Sequence, residues 1–172
     1  MNRLPLVGGF LCKFNAMKFS DYNISKEIKE QLAVLGFNKP TDIQFKAIQH
    51  ILDGEDVMAI AQTGTGKTAA FAIPTLDKIH RNKLKYKKSG IRCLVMVPTR
   101  ELAKQISKVY QELGKNTNVK TFGLFGGVEQ EQQIRTLNNG IDILVTTPGR
   151  MFDLISQGSI DITGIQFLVL DE

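Results

Sequence analysis

The chain is 172 residues long, 42% hydrophobic and 23% charged, which fits one globular domain with a substantial core. It has no apolar run near the roughly 20 residues that span a bilayer, no lasting heptad, and only two cysteines, Cys12 and Cys93, without metal-ligand spacing. This argues against a membrane protein, a coiled coil, a disulfide scaffold and a structural zinc module, and points to a reducing, cytoplasmic setting. The formal charge of +5 traces to Lys78, Arg81, Lys83, Lys85, Lys87 and Lys88, six cations with no acid between them. Such a run reads equally as a solvated loop or as a phosphate-binding surface.

Residues 1–16 hold Gly8 and Gly9 in a short apolar stretch and no signal-peptidase site, so a disordered extension is expected there, ahead of a natural start at Met17. Ile24, Ile28, Leu32 and Leu35 then recur at helical spacing, and Gly36 stands where a helix stops. Thr41 is placed to cap a second helix, with Ile43, Ala47, Ile48 and Ile51 on its buried side and Asp53-Gly54 at its end. Past Asp56, short apolar runs alternate with amphipathic stretches. Val57–Ala61, Cys93–Val97, Val119–Phe125, Ile143–Thr147 and Phe167–Leu170 read as strands. Lys67–His80, Glu101–Gly114, Glu129–Leu137 and Gly149–Gln157 read as the helices between them. The fold class is therefore α/β, with a mainly parallel sheet covered on both faces, which is why its strands are solid apolar runs. Ligands of such sheets bind beyond the carboxyl ends of the strands.

The first of these runs leads into Ala61-Gln62-Thr63-Gly64-Thr65-Gly66-Lys67-Thr68 and then a helix. This is a P-loop: Gly64 and Gly66 let backbone N–H groups converge on phosphates, and the helix N-terminus adds its positive dipole end. Lys67 reaches the β/γ oxygens, and the Thr68 hydroxyl can ligate Mg²⁺. The fifth run delivers Asp171 and Glu172 to its carboxyl end, the pair a nucleotide hydrolase needs: Asp171 to hold the metal and Glu172 to orient and deprotonate the attacking water.

Further motifs say what the energy is for. Phe19, Gly36-Phe37, Lys39-Pro40-Thr41 and Ile43-Gln44 lie upstream; Pro98-Thr99-Arg100-Glu101-Leu102-Ala103, Gly126-Gly127 and Thr147-Pro148-Gly149-Arg150 lie downstream. In this order and spacing, residues 19–172 resemble the first RecA-like domain of DEAD-box RNA helicases. The strings AQTGTGKT, PTRELA, TPGR and VLDE together make a chance match negligible.

The resemblance implies a three-layer RecA-like domain over residues 17–172 that binds ATP through Phe37, Lys39, Thr41, Gln44 and the P-loop, with Mg²⁺. Gln44 presents a carboxamide suited to adenine N6 and N7, yet Thr41-Asp42-Ile43-Gln44 is also a capping box in which Gln44 folds back on its own helix. Phe37 would stack on the base, and Phe19 would pack beneath the motif. The resemblance further implies that Pro98, Thr99, Arg100, Gly127, Thr147, Pro148, Gly149 and Arg150 grip RNA phosphate and sugar without reading bases; capping by Thr99 and Thr147, initiation by Pro148 and tight turns at the glycines are the structural alternatives. The DEAD tetrad stops after its second residue, so the domain is expected to be incomplete at its C-terminus and to lack the second RecA-like domain that supplies an arginine finger. Such a fragment would bind nucleotide and be nearly inactive, while its parent couples ATP hydrolysis to local RNA duplex unwinding or RNP remodelling.

Overall fold

The computed structural model describes residues 17–85 and 90–171. The extension at residues 1–16, Cys12, Lys87, Lys88 and Glu172 lie outside the described residues.

Six helices and four strands follow in order: α1 (Lys26–Val34), α2 (Asp42–Asp53), α3 (Lys67–Asn82), β1 (Cys93–Met96), α4 (Arg100–Leu113), β2 (Thr121–Leu124), α5 (Gln130–Asn138), β3 (Ile143–Thr146), α6 (Pro148–Ser156) and β4 (Phe167–Leu170). Each strand core is the apolar run read from the sequence. The four strands form one all-parallel sheet in the order β2-β3-β1-β4, with Cys93 opposite Ile143 on one side and Phe167 on the other.

Alternate residues feed two cores. Cys93, Val95, Ile143 and Val145 pack with Ile28, Ile48, Ile73, Leu76, Ile106 and Tyr110 from α1 to α4. Leu94, Leu144 and Leu124 pack with Met151 and Leu154 of α6 on the opposite face. This is the three-layer α/β arrangement expected, and it explains why β3 is buried at all four positions. The second face is not covered evenly: Leu168 and Leu170, in register with Leu94 and Met96, are 59% and 70% exposed.

One expected strand does not form. Val57–Ala61 joins no ladder, and Met58 and Ile60 are more than 90% exposed, at 92% and 93%. The cause is the lack of a partner. A cavity of about 280 Å³ separates the segment from β4, with Val57 and Ala59 on one wall and residues 166–171 on the other. Apolar, β-branched composition favours a strand only when a ladder is available, because most strand stability comes from cross-strand neighbours.

Candidate functional site

Because all strands are parallel, their carboxyl ends meet on one edge, where Val97–Arg100, Phe125–Gly127, Thr147–Arg150 and Asp171 emerge. The phosphate loop reaches the same edge. Gly64 (φ 80°) and Gly66 (φ 92°) sit in the left-handed region, and the Thr65 hydroxyl closes the turn by donating to the Gln62 carbonyl at 2.7 Å. A Cβ at Gly64 would meet nothing within 4 Å, so glycine is favoured there by its φ and not by crowding. Gly66 caps α3 and Lys67 and Thr68 begin it, so the first N–H groups of a 16-residue helix face outward at the loop. Lys67 and Asp171 line the same cavity, beside Phe71 and residues 54–57. Ala61, half-buried, and Gln62 and Thr63, both exposed, form the approach to the loop.

Gln44 is 2% exposed and folds back on its own helix. Its Oε1 accepts from the Thr41 N–H at 2.9 Å, which is the capping-box bond. Its Nε2 donates to the Gly66 carbonyl at 3.1 Å, tying α2 to the phosphate loop. A Cβ at Gly66 would collide with that same Nε2, so Gly66 is required both by its φ and by the glutamine against it. Phe19 is buried, as expected of a packing residue, and meets Phe37 edge-on at 5.9 Å between ring centroids. Phe37 itself is half-buried and, with Lys39, lines a second cavity that also carries Lys18 and Lys29.

On the other part of the edge the motif residues divide into those that hold the backbone and those that point outward. The Thr99 hydroxyl caps α4 by accepting from the Leu102 N–H at 3.2 Å, and Pro148 opens α6 at its first position. Thr147 precedes α6 without a side-chain cap bond. Pro98, Thr99, Arg100 and Gly149 are exposed. Gly127 has φ 72°, and a Cβ there would strike the Arg100 guanidinium, which lies against it. Arg150 donates from Nη1 to Gln130 Oε1 at 3.0 Å and from Nη2 to the Val128 carbonyl at 3.4 Å. One turn along α5, the Gln133 amide donates to the Phe125 carbonyl at 3.1 Å, just before the Gly126-Gly127 turn. Nothing in the sequence singled out Gln130 and Gln133: in Glu129-Gln130-Glu131-Gln132-Gln133 they look like any polar helix surface.

Two cations of the basic run, Arg81 and Lys83, are held in structural contacts. Arg81 is spent on the buried Asp77, Nε to Oδ2 at 2.9 Å, and Lys83 pairs with Asp142 while donating to the Asn118 carbonyl. These contacts lie at the far end of α3, at the amino edge of the sheet, away from the strand-end site. Beneath the site, Thr75 and Tyr110 share a hydrogen bond of 3.0 Å inside the first core. Burial pushes the neighbouring Cys93 thiol up to about 12, against hydrogen bonds from Tyr110 and Thr75 that lower it, so this thiol is a packing group and not a nucleophile. No cluster of three or more acidic, histidine or cysteine side chains exists among the described residues.

Residues 41–172 match the sequence profile described as DEAD/DEAH box helicase. The chain is 40% identical over 154 residues to the RNA helicase CrhR of Synechocystis sp., covering 90% of this chain and 30% of that protein. It is 41% identical over 159 residues to the mitochondrial DEAD-box ATP-dependent RNA helicase 9 of Arabidopsis thaliana, covering 92% and 26%. With the DEAD-box ATP-dependent RNA helicase CshA of Streptococcus pneumoniae the identity is 41% over 156 residues, covering 91% and 29%. The chain thus spans less than a third of the length of each of these relatives.

Proposed function

The chain belongs to the DEAD/DEAH box helicase family, and from that premise we propose that it is the N-terminal ATP- and RNA-binding domain of an ATP-dependent RNA helicase. In the whole protein this domain works against a second RecA-like domain, and ATP hydrolysis drives local duplex unwinding or RNP remodelling. One observation carries the reading: the phosphate loop, Asp171 and the Arg100, Gly127 and Arg150 group all occupy one strand-end edge. Nucleotide state and RNA grip can therefore act on each other through a shared sheet.

The chemistry follows from the residues. The outward N–H groups at the start of α3 and the Lys67 ammonium bind the β- and γ-phosphates. Thr68 and Asp171 offer hard oxygen donors that suit Mg²⁺, which when bound would neutralise phosphate charge. Glu172 is assigned the attacking water, which it orients and deprotonates. Gln44 retains one acceptor lone pair on Oε1 and one N–H on Nε2 after its two internal bonds. That pair matches the N6 and N7 edge of adenine in kind, and because Gln44 is 2% exposed as it stands, base recognition requires its amide to be uncovered. Arg100 and Arg150 supply charge for RNA phosphates, with the Gly127 turn between them. A reducing, cytoplasmic setting without a membrane partner is part of the same proposal. Cys93 is a free thiol, and no helix among the described residues is long and apolar enough to cross a membrane.

The test is a titration of the chain with ADP and GDP, with Lys67→Ala as control. The expected result is weak binding that favours ADP, weakened about ten- to hundredfold in the variant, as losing a charge-assisted contact of roughly 1.5–3 kcal/mol requires. Equal affinity for ADP and GDP would remove Gln44 from base recognition. Unchanged affinity in Lys67→Ala would remove the phosphate loop.

A further inference from the structure

We propose that Gln130 is a positioning residue for RNA binding, one that presets the Arg150 guanidinium on the strand-end edge; this rests on the reading of that edge as an RNA-backbone grip. Arg150 occupies the third position of α6, where a long side chain leaving a helix N-terminus is free to sweep a wide arc. Its arc is closed by two acceptors on one side, Gln130 Oε1 at 3.0 Å and the Val128 carbonyl at 3.4 Å. Gln130 cannot turn its amide around, because its Nε2 donates to Gln157 Oε1 and a guanidinium has only donors to offer. The chain Gln157 to Gln130 to Arg150 therefore has one direction and one geometry.

The chemistry of the brace matters as much as its geometry. Both acceptors that hold Arg150 are neutral. The nearest acid on α5, Glu131, is turned to Arg135 at 3.4 Å, and among the described residues Arg150 makes no ion pair. A carboxylate in place of Gln130 would fix the side chain equally well but cancel the charge that a phosphate needs. An amide fixes it and leaves the charge intact. Each Nη nitrogen of Arg150 uses one N–H in the brace and keeps a second, so the guanidinium still has donors to give after the brace is made. Gln133, one turn on, holds the Phe125 carbonyl ahead of the Gly126-Gly127 turn. One helix thus braces two of the three groups assigned to RNA, and ordering them beforehand spares the complex that entropy.

The experiment measures binding of a fluorescent single-stranded RNA oligonucleotide to the whole chain across a salt series, for the native protein, Gln130→Met, Arg150→Ala and the double variant, with thermal midpoints for each. Methionine keeps the length and helix propensity of glutamine and removes the acceptor. Arg150→Ala is expected to lower the slope of log affinity against log salt by about 0.7, the value for one phosphate on a single strand. Gln130→Met is expected to bind about three- to tenfold more weakly, the cost of ordering one long side chain, at an unchanged thermal midpoint. The double variant is expected to bind no more weakly than Arg150→Ala, since Gln130 acts only through Arg150. Native affinity in Gln130→Met, or full additivity in the double variant, would overturn the role of Gln130 while leaving the RNA face standing. Native affinity and slope in Arg150→Ala, or no RNA binding by the native chain at low salt, would overturn the RNA face itself and the role of Gln130 with it.

Discussion

Along the β2-β3-β1 part of the strand-end edge, three loops hold one another: Arg100 lies against Gly127, Gln133 fixes the Phe125 carbonyl, and Gln130 fixes Arg150. Beyond β4 the construction is different. The phosphate loop has its left-handed glycines and its helix N-terminus in place, but the segment that delivers it makes no ladder, and a cavity divides it from β4. The side proposed for RNA is ordered by side chains bonding across loops. The side proposed for nucleotide is ordered from below, by α3 packing into the core and by Gln44 tying α2 to Gly66. A loop can thus be correct in local geometry while the strand that feeds it has no partner, because turn and helix start are set by a few consecutive residues and a strand by its neighbours.

Amide hydrogen exchange gives the largest contrast. Amides of β1 and β3 should exchange only through global opening, on the order of 5–15 kcal/mol for a domain of ordinary stability. Those of residues 57–61 should exchange almost as in an open chain. Strong protection at 57–61 would mean that a partner strand is engaged there, and the comparison would fail.

Gln44→Ala comes next. It removes the cap acceptor and the bond to Gly66, and should cost roughly 1–2 kcal/mol in denaturant unfolding. A cost near zero would show that the phosphate loop is held by α3 alone. On the opposite side, Gly127→Ala should cost about 1 kcal/mol, from the left-handed φ; the clash is with the far end of a flexible arginine and can be relieved. A loss several times larger would mean that Arg100 is locked rather than resting on Gly127. The smallest effect on stability is expected for Leu170→Lys, within about 0.5 kcal/mol for so exposed a position. Its readout is association: sedimentation of the native chain should show self-association through the uncovered β4 face, reduced in the variant. Equal behaviour of the two would place any contact elsewhere.

Much of this was legible in the residues. Solid apolar runs at Cys93–Met96 and Ile143–Thr146 require burial on both faces, so a parallel sheet between helix layers follows from composition and order alone. The phosphate loop was legible because each of its parts is local: two glycines that must take positive φ, a helix that must start, a lysine and a threonine at its first two positions. The capping box at Thr41 and the Thr99 cap were legible for the same reason.

What stayed hidden depends on residues far apart in the chain. Val57–Ala61 has the composition of a strand, and only the arrangement of the sheet decides that nothing stands beside it. Arg81 and Lys83 look like free surface charge until the fold brings Asp77 and Asp142 against them. Gln130 sits within the polar stretch 129–133 and meets Arg150 only because α5 and α6 start at the carboxyl ends of neighbouring strands, β2 and β3. The sequence by itself determined the layers, the order of elements and the local chemistry of the phosphate loop, since these follow from periodicity and from short-range backbone sterics. The tertiary structure alone decided which cations are paired, which strand is left without a neighbour and which glutamine holds an arginine, because those contacts join side chains whose separation along the chain carries no signal.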